Sequence, residues 1–134
     1  MHDWSIQEDT PRTARILIAE DHRDSREALR ILLESVGFEV SVASDGRDAV
    51  DLALLVRPDL ILMDIMMPEL DGFEATRRLR RSEPTRRTPI IAVTAMEGAR
   101  ELALEAGADD VVQKPISTRA LLGTIHDWLE RRSP

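Results

Sequence analysis

The sequence contains no cysteine, which excludes disulfides and thiolate chemistry. That absence fits a reducing cytoplasm, the compartment expected here. No apolar run approaches the roughly 20 residues that span a bilayer. The opening stretch MHDWSIQEDTPRTAR has no apolar segment of a secretory signal, so no membrane association is expected. Aromatics are scarce at 3%, and tyrosine is missing altogether. No G-x-G-x-x-G follows the first apolar run, which disfavours a dinucleotide-binding enzyme. Neither a solenoid-length repeat nor a low-complexity block occurs. Cations are outnumbered, 18 Lys and Arg against 25 Asp and Glu, for a net charge of −7. Such a chain repels phosphates, and no direct nucleic-acid binding is expected. One local exception is the cluster of Arg77, Arg78, Arg80, Arg81, Arg86 and Arg87. A solvated helix end, where cations suit the dipole, is favoured over a docking patch.

The 134 residues fit one domain. Residues 1–14 are polar, carry Pro11 and show no period, as a flexible tail would. From residue 15 to 132 short apolar runs alternate with helical periods. Strands are expected at 16–19, 38–43, 59–64, 89–94 and 109–113. Helices are expected at 24–36, 45–56, 70–81, 97–106 and 117–131, with Gly37 and Gly107 as stops and Ser117 as an N-cap. Strands that are apolar throughout are covered on both faces. Strict alternation with short loops implies a parallel sheet with right-handed crossovers, an α/β doubly wound fold.

Ligands of such sheets bind beyond the carboxyl ends of the strands. The first strand ends in Glu20 and Asp21, the third in Asp64, the fourth in Thr94 and the fifth in Lys114, followed by Pro115. The second ends at Ala43 and Ser44, with no reactive group. Taken singly, each has an ordinary explanation: a turn-forming Asp, a strand Thr, a solvated Lys. Four strands delivering three carboxylates, a hydroxyl and an amine to one edge are harder to dismiss. Clustered carboxylates repel one another unless a cation neutralises them. Oxygen ligands without nearby His or Cys suit Mg²⁺, which keeps several waters and needs few protein ligands. The metal, an ammonium and a hydroxyl could then surround a transferring phosphoryl group, with a carboxylate as nucleophile.

The motifs ILIAEDH, LILMDIMMPELDG, PIIAVTA and AGADDVVQKP, in this order and spacing, resemble the receiver domain of two-component response regulators. The resemblance covers about residues 15–132. It implies a five-stranded, flavodoxin-like (βα)5 sheet of order 2-1-3-4-5. Asp64 matches the phosphoacceptor, and Thr94 and Lys114 match the hydroxyl and the lysine that contact the phosphoryl group. Glu20 and Asp21 match the acidic pair, with Asp21 a direct Mg²⁺ ligand and Glu20 acting through water. The backbone carbonyl of Met66 matches the third protein ligand, and a cis peptide is expected before Pro115. The resemblance further implies a histidine kinase or histidine phosphotransfer protein as donor and a downstream protein effector. It implies no enzymatic activity beyond self-catalysed phosphotransfer and dephosphorylation. The side chains two beyond the acceptor and two beyond the Thr, here Met66 and Met96, tune dephosphorylation; both are apolar, and a persistent phosphorylated state is expected.

Two departures stand out. The family often has Tyr or Phe three residues before the Lys, where this chain has Val111. No output domain is expected after the last helix, and the signal is expected to leave through a partner. Other readings are a phosphate shuttle between histidine proteins and an adaptor that is never phosphorylated. A haloacid-dehalogenase-like phosphatase would want a second Asp where Met66 stands. His2, His22 and His126 are far apart and carry no expected metal or relay role. Trp128 is expected to pack on the sheet or serve an interface.

Overall fold

A computed structural model describes residues 13–132. Strands β1 (Arg15–Ala19), β2 (Glu39–Ala43), β3 (Leu60–Asp64), β4 (Ile90–Thr94) and β5 (Asp110–Gln113) form one parallel sheet. Its order is β2-β1-β3-β4-β5. Helices α1 (Arg23–Ser35), α2 (Gly46–Val56), α3 (Gly72–Arg81), α4 (Ala99–Ala106) and α5 (Thr118–Arg132) connect or follow them. The expected doubly wound fold and strand order are therefore the observed ones.

The two-residue period of the strands sorts the core into two layers. Leu17, Ala19, Ile61, Met63, Ile90 and Ala92 pack with α2, α3 and α4. Ile16, Ile18, Leu60, Leu62, Ile91 and Val93 pack with α1 and α5. The first layer meets small residues, Ala49, Ala53, Ala75 and Ala103, so its three helices lie close to the sheet. The second meets Leu29, Leu33, Leu121 and Ile125. All five residues of β3 are buried, as a central strand covered on both faces requires.

The element ends follow local capping chemistry. Asp45 and Asp71 cap α2 and α3, accepting from the Asp48 and Glu74 amides at 2.7 and 2.9 Å. Gly37 and Gly107 take positive φ, 100° and 117°, at the ends of α1 and α4. The amide of Ala120 donates to Ser117 Oγ at 3.3 Å, in keeping with the expected cap of α5. Helix α4 begins at Ala99 rather than residue 97, because Gly98 sits in the left-handed region immediately before it. A 3-10 turn at Glu83–Thr85, with proline in its first turn, had no counterpart among the expected elements. Of the proposed tail, residues 1–12 lie outside the described residues. The Ala14 carbonyl accepts from the Glu39 amide at 3.0 Å, extending the β1–β2 pairing.

Candidate functional site

Parallel strands end together, and the loops that follow β1, β3, β4 and β5 meet at one edge of the sheet. Glu20 follows β1 and is buried, with 2% of its surface exposed. Asp21 beside it is exposed. Asp64 closes β3 and is buried. One carboxylate oxygen from each of the three can be chosen so that all lie within 4.8 Å of one another. Lys114, the only lysine in the sequence, reaches into this group from the end of β5. Its Nζ donates to Glu20 Oε1 at 3.1 Å and to Asp64 Oδ2 at 3.2 Å. The Lys114–Pro115 peptide bond is cis.

Each oxygen of the buried pair has a donor. Glu20 Oε2 accepts from the His22 amide at 3.0 Å, and Asp64 Oδ1 accepts from the Met66 amide at 3.0 Å. The guanidinium of Arg26 braces the turn between β1 and α1, donating to the carbonyls of Glu20 and Asp21 at 3.1 and 3.4 Å. Burial by itself would lower the pKa of Lys114. The hydrogen bond to Glu20 and the charge of Asp64 outweigh it and hold the amine above its ordinary value. Three carboxylates face the Lys114 ammonium and, on the backbone of the acid pair, the Arg26 guanidinium, so the cluster keeps an excess of formal negative charge. That residue of charge, the all-oxygen donor set and the exposed position of Asp21 suit one divalent hard cation.

Thr94 is buried at the end of β4, one residue beyond Val93, which pairs with Asp64. Its Oγ1 accepts from the Met96 amide at 2.9 Å, and its carbonyl accepts from the Lys114 amide at 2.8 Å. Met66 lies in the loop after Asp64 with 61% of its surface exposed, and Met96 is half-buried. Val111, half-buried, packs against the layer below α2–α4. The structure thus gathers Glu20, Asp21, Asp64 and Lys114 in one cluster, with Thr94 and residue 66 adjoining it.

Sequence reasoning missed two supports. A side chain at Gly72 would fall on the backbone carbonyl of Asp64 and press on Ile65 Cα, so the glycine lets α3 start directly against Asp64. The Leu-Asp-Gly run carried that signal. Arg26 had no readable signal, because only the turn between β1 and α1 brings it to the acid pair. His22 touches the site through its backbone amide, while the imidazoles make other contacts: His22 Nδ1 is 3.5 Å from Ser25 Oγ and the His126 ring centroid is 5.9 Å from that of Phe38. His2 lies outside the described residues. Trp128 is half-buried and packs against the α1–α5 layer. It also donates to Asp110 Oδ2 at 2.9 Å.

The family profile described as response regulator receiver domain matches residues 16–126. This chain belongs to the receiver-domain family. The response regulator MprA of Mycolicibacterium vanbaalenii is 42% identical over 122 residues, covering 90% of this chain and 52% of that protein. The receiver domain therefore spans about half the length of the curated relatives it matches. Among solved structures, the receiver domain of sensor histidine kinase PA1611 from Pseudomonas aeruginosa has Mg²⁺ coordinated in its active-site cleft. It superposes with a TM-score of 0.83 at 39% identity, covering 88% of this chain and 98% of that one. The signal receiver domain of a histidine kinase from Syntrophus aciditrophicus gives 0.82 at 36% identity, covering 88% and 91%. No helix among the described residues is long and apolar enough to cross a membrane.

Proposed function

We propose that this receiver domain is a phosphorylation switch in which Asp64 accepts a phosphoryl group from a phosphohistidine. The observation that carries the reading is the single ammonium of Lys114 bridging Glu20 and Asp64 inside a three-carboxylate cluster. A carboxylate oxygen of Asp64 forms the new bond to phosphorus, and the phosphorus–nitrogen bond of the donor breaks, its electron pair leaving on the imidazole. Glu20, Asp21, Asp64 and the Met66 carbonyl would hold Mg²⁺, which when bound neutralises phosphoryl oxygens. Lys114 exchanges part of its contact with Asp64 for a phosphoryl oxygen, and the Thr94 hydroxyl turns to another.

Movement of Thr94 toward the phosphoryl group biases the loop after β4, and the population shift passes to the face built by α4, β5 and α5. Val111 makes the coupling to that face smaller in amplitude than an aromatic ring would. The partners are a histidine kinase or histidine phosphotransfer protein and a downstream protein effector, all in the cytoplasm. The domain catalyses no reaction beyond its own phosphorylation and dephosphorylation. Met66 and Met96 offer no hydrogen bond to an attacking water, so the phosphorylated state persists.

A second reading, a shuttle that passes the group on to another histidine, is favoured by one fact: the two solved neighbours described above are receivers of histidine kinases. The test is an intact-mass spectrum after incubation with acetyl phosphate and Mg²⁺, beside Asp64→Asn. One phosphoryl adduct that needs both Mg²⁺ and Asp64 is expected, with slow decay after removal of the donor. No adduct while Mg²⁺ still binds would leave an adaptor. Rapid decay would refute the persistence.

A further inference from the structure

The exposed arginines at the other end of α3 are not used by phosphoryl chemistry. Arg77, Arg78 and Arg81 share a single carboxylate, Glu74, at 3.0, 3.4 and 3.3 Å. Arg77 and Arg78 reach it through Nε. Their terminal amino nitrogens, the pair that grips a carboxylate side-on, make no hydrogen bond shown among the described residues. In the loop that follows, Arg86 pairs with Glu83 at 3.2 Å, and Glu83 is itself 79% exposed on its side chain. Arg87 is exposed and has no ion pair among the described residues. Five guanidinium groups thus face two carboxylates on a chain whose net charge is −7.

These cations are held in register. The half-buried Arg80 donates to the carbonyls of Thr88, Arg86 and Gly107 at 2.7, 3.1 and 2.8 Å and to Asp109 Oδ2 at 2.6 Å. Thr85 Oγ1 donates to the Leu79 carbonyl at 2.6 Å. The loop is therefore tied back onto the helix, and a cleft of about 350 Å³ opens beside Glu83, Arg86 and Arg87. Arg80 reaches residues just before β4 and β5, so this ridge lies at the edge of the sheet opposite Asp64.

We propose that the arginine ridge of α3 and the following loop docks a short acidic segment of a partner protein, whether or not Asp64 carries a phosphoryl group. A protein segment is favoured over nucleic acid by the electrostatics outside the ridge. The rest of the surface is more acidic than the whole chain and repels a polyanion that runs past the ridge. Helix α3 has ten residues, about 15 Å of axis, which matches a few carboxylates and not a duplex. The ridge is a constant anchor, separate from the conditional face of α4, β5 and α5.

The probe is a fluorescein-labelled Asp/Glu-rich peptide of about 20 residues, followed by anisotropy at about 50 mM salt, where exposed charges are weakly screened. Arg77→Gln, Arg81→Gln and Arg87→Gln combined, with Arg80 kept, should weaken binding about tenfold. Glu74→Gln, which frees three guanidinium groups, should tighten it. The unaltered chain should bind the peptide equally well before and after incubation with acetyl phosphate and Mg²⁺, and a change in affinity on that treatment would overturn the independence from phosphorylation. Circular dichroism melts establish that each variant is folded. Peptide binding that survives the triple substitution, or fails to tighten in Glu74→Gln, would overturn the proposal. So would tighter binding of duplex DNA than of the peptide, or no binding of the peptide at all.

Discussion

Gly72 shows how one missing side chain lets a helix start against the end of β3, where Asp64 sits. Helix α3 can begin two turns of chain after Asp64 only because nothing projects from residue 72 toward the Asp64 carbonyl. Its amide also donates to the Ile65 carbonyl at 2.9 Å, which stitches the helix start to the end of β3. Adding a methyl forces one backbone away from the other. Gly72→Ala is expected to cost about 1–3 kcal/mol in stability, the usual range for overpacking. If Asp64 is the acceptor proposed above, the effect on phosphoryl uptake should exceed what stability predicts, because the shift falls on Asp64 itself. Urea denaturation beside intact-mass phosphorylation at a temperature where the variant is folded separates the two. Equal loss in both would make Gly72 a packing residue alone. Gly46 holds a parallel place at the start of α2, where a side chain would strike the Leu70 carbonyl.

At the scale of elements, the six arginines that read as one cluster divide into two kinds. Arg80 is a strut among α3, the loop before β4 and the start of β5; its partner Asp109 also accepts from the Ile90 amide at 2.9 Å. Arg80→Met should lower the unfolding free energy by roughly 2–3 kcal/mol, the range for hydrogen bonds to a charged group, whereas Arg77→Met should change little. Paired chemical denaturation curves decide it, and equal effects would undo the distinction. Glu74 supplies a pH-dependent contribution. The hydrogen bond from Arg77 is the first cause, burial works against it, and Arg78 and Arg81 add to it, so the carboxyl lies below its ordinary 4.5. A group depressed on folding stabilises above its unfolded pKa, and that contribution disappears as pH falls through the lowered value. An NMR titration should therefore place Glu74 below 4.5, and added salt should shrink the depression. A midpoint at or above the ordinary value would deny the arginine contacts in solution.

The elements also show what a sequence makes legible. The strands were readable because β3 and β4 are apolar up to their last residues, Asp64 and Thr94, and stand between turn residues. The site residues were readable because a parallel sheet converts the last residue of each strand into a position on one edge. Helix starts were less so. The apolar period at residues 70 and 97 ran past the true beginnings, Gly72 and Ala99, since side-chain spacing does not say where the backbone turns. The 3-10 turn at Glu83–Thr85 and the division of the arginines depended on tertiary contacts of Arg80 and Thr85. Six consecutive-looking cations carry no local mark of which one is folded inward.

For the whole molecule, a metal ion at the carboxylate cluster would be linked to global stability. Two of its members, Glu20 and Asp64, are buried beside the centre of the sheet, and the Lys114 ammonium with the nearby Arg26 guanidinium does not balance the three formal charges. Folding therefore gathers like charges that are apart in the unfolded chain, and any cation that binds only the folded form pulls the equilibrium toward it. Mg²⁺ at ten times its dissociation constant should add about 1.4 kcal/mol to the unfolding free energy. Ca²⁺ tests the selectivity, since its larger size and higher coordination number suit this small donor set less well. Asp21→Asn removes the exposed member. It should raise the melting temperature without metal, by relieving repulsion, and abolish most of the Mg²⁺ response. Thermal unfolding of both chains with EDTA and across an Mg²⁺ series measures the two effects together. A variant that melts lower without metal would show that Asp21 stabilises the fold through contacts of its own. A preserved Mg²⁺ response would place the ion on Glu20 and Asp64 without it. Only the combination of higher intrinsic stability and lost response makes the repulsion among these three carboxylates the reason the site takes up metal.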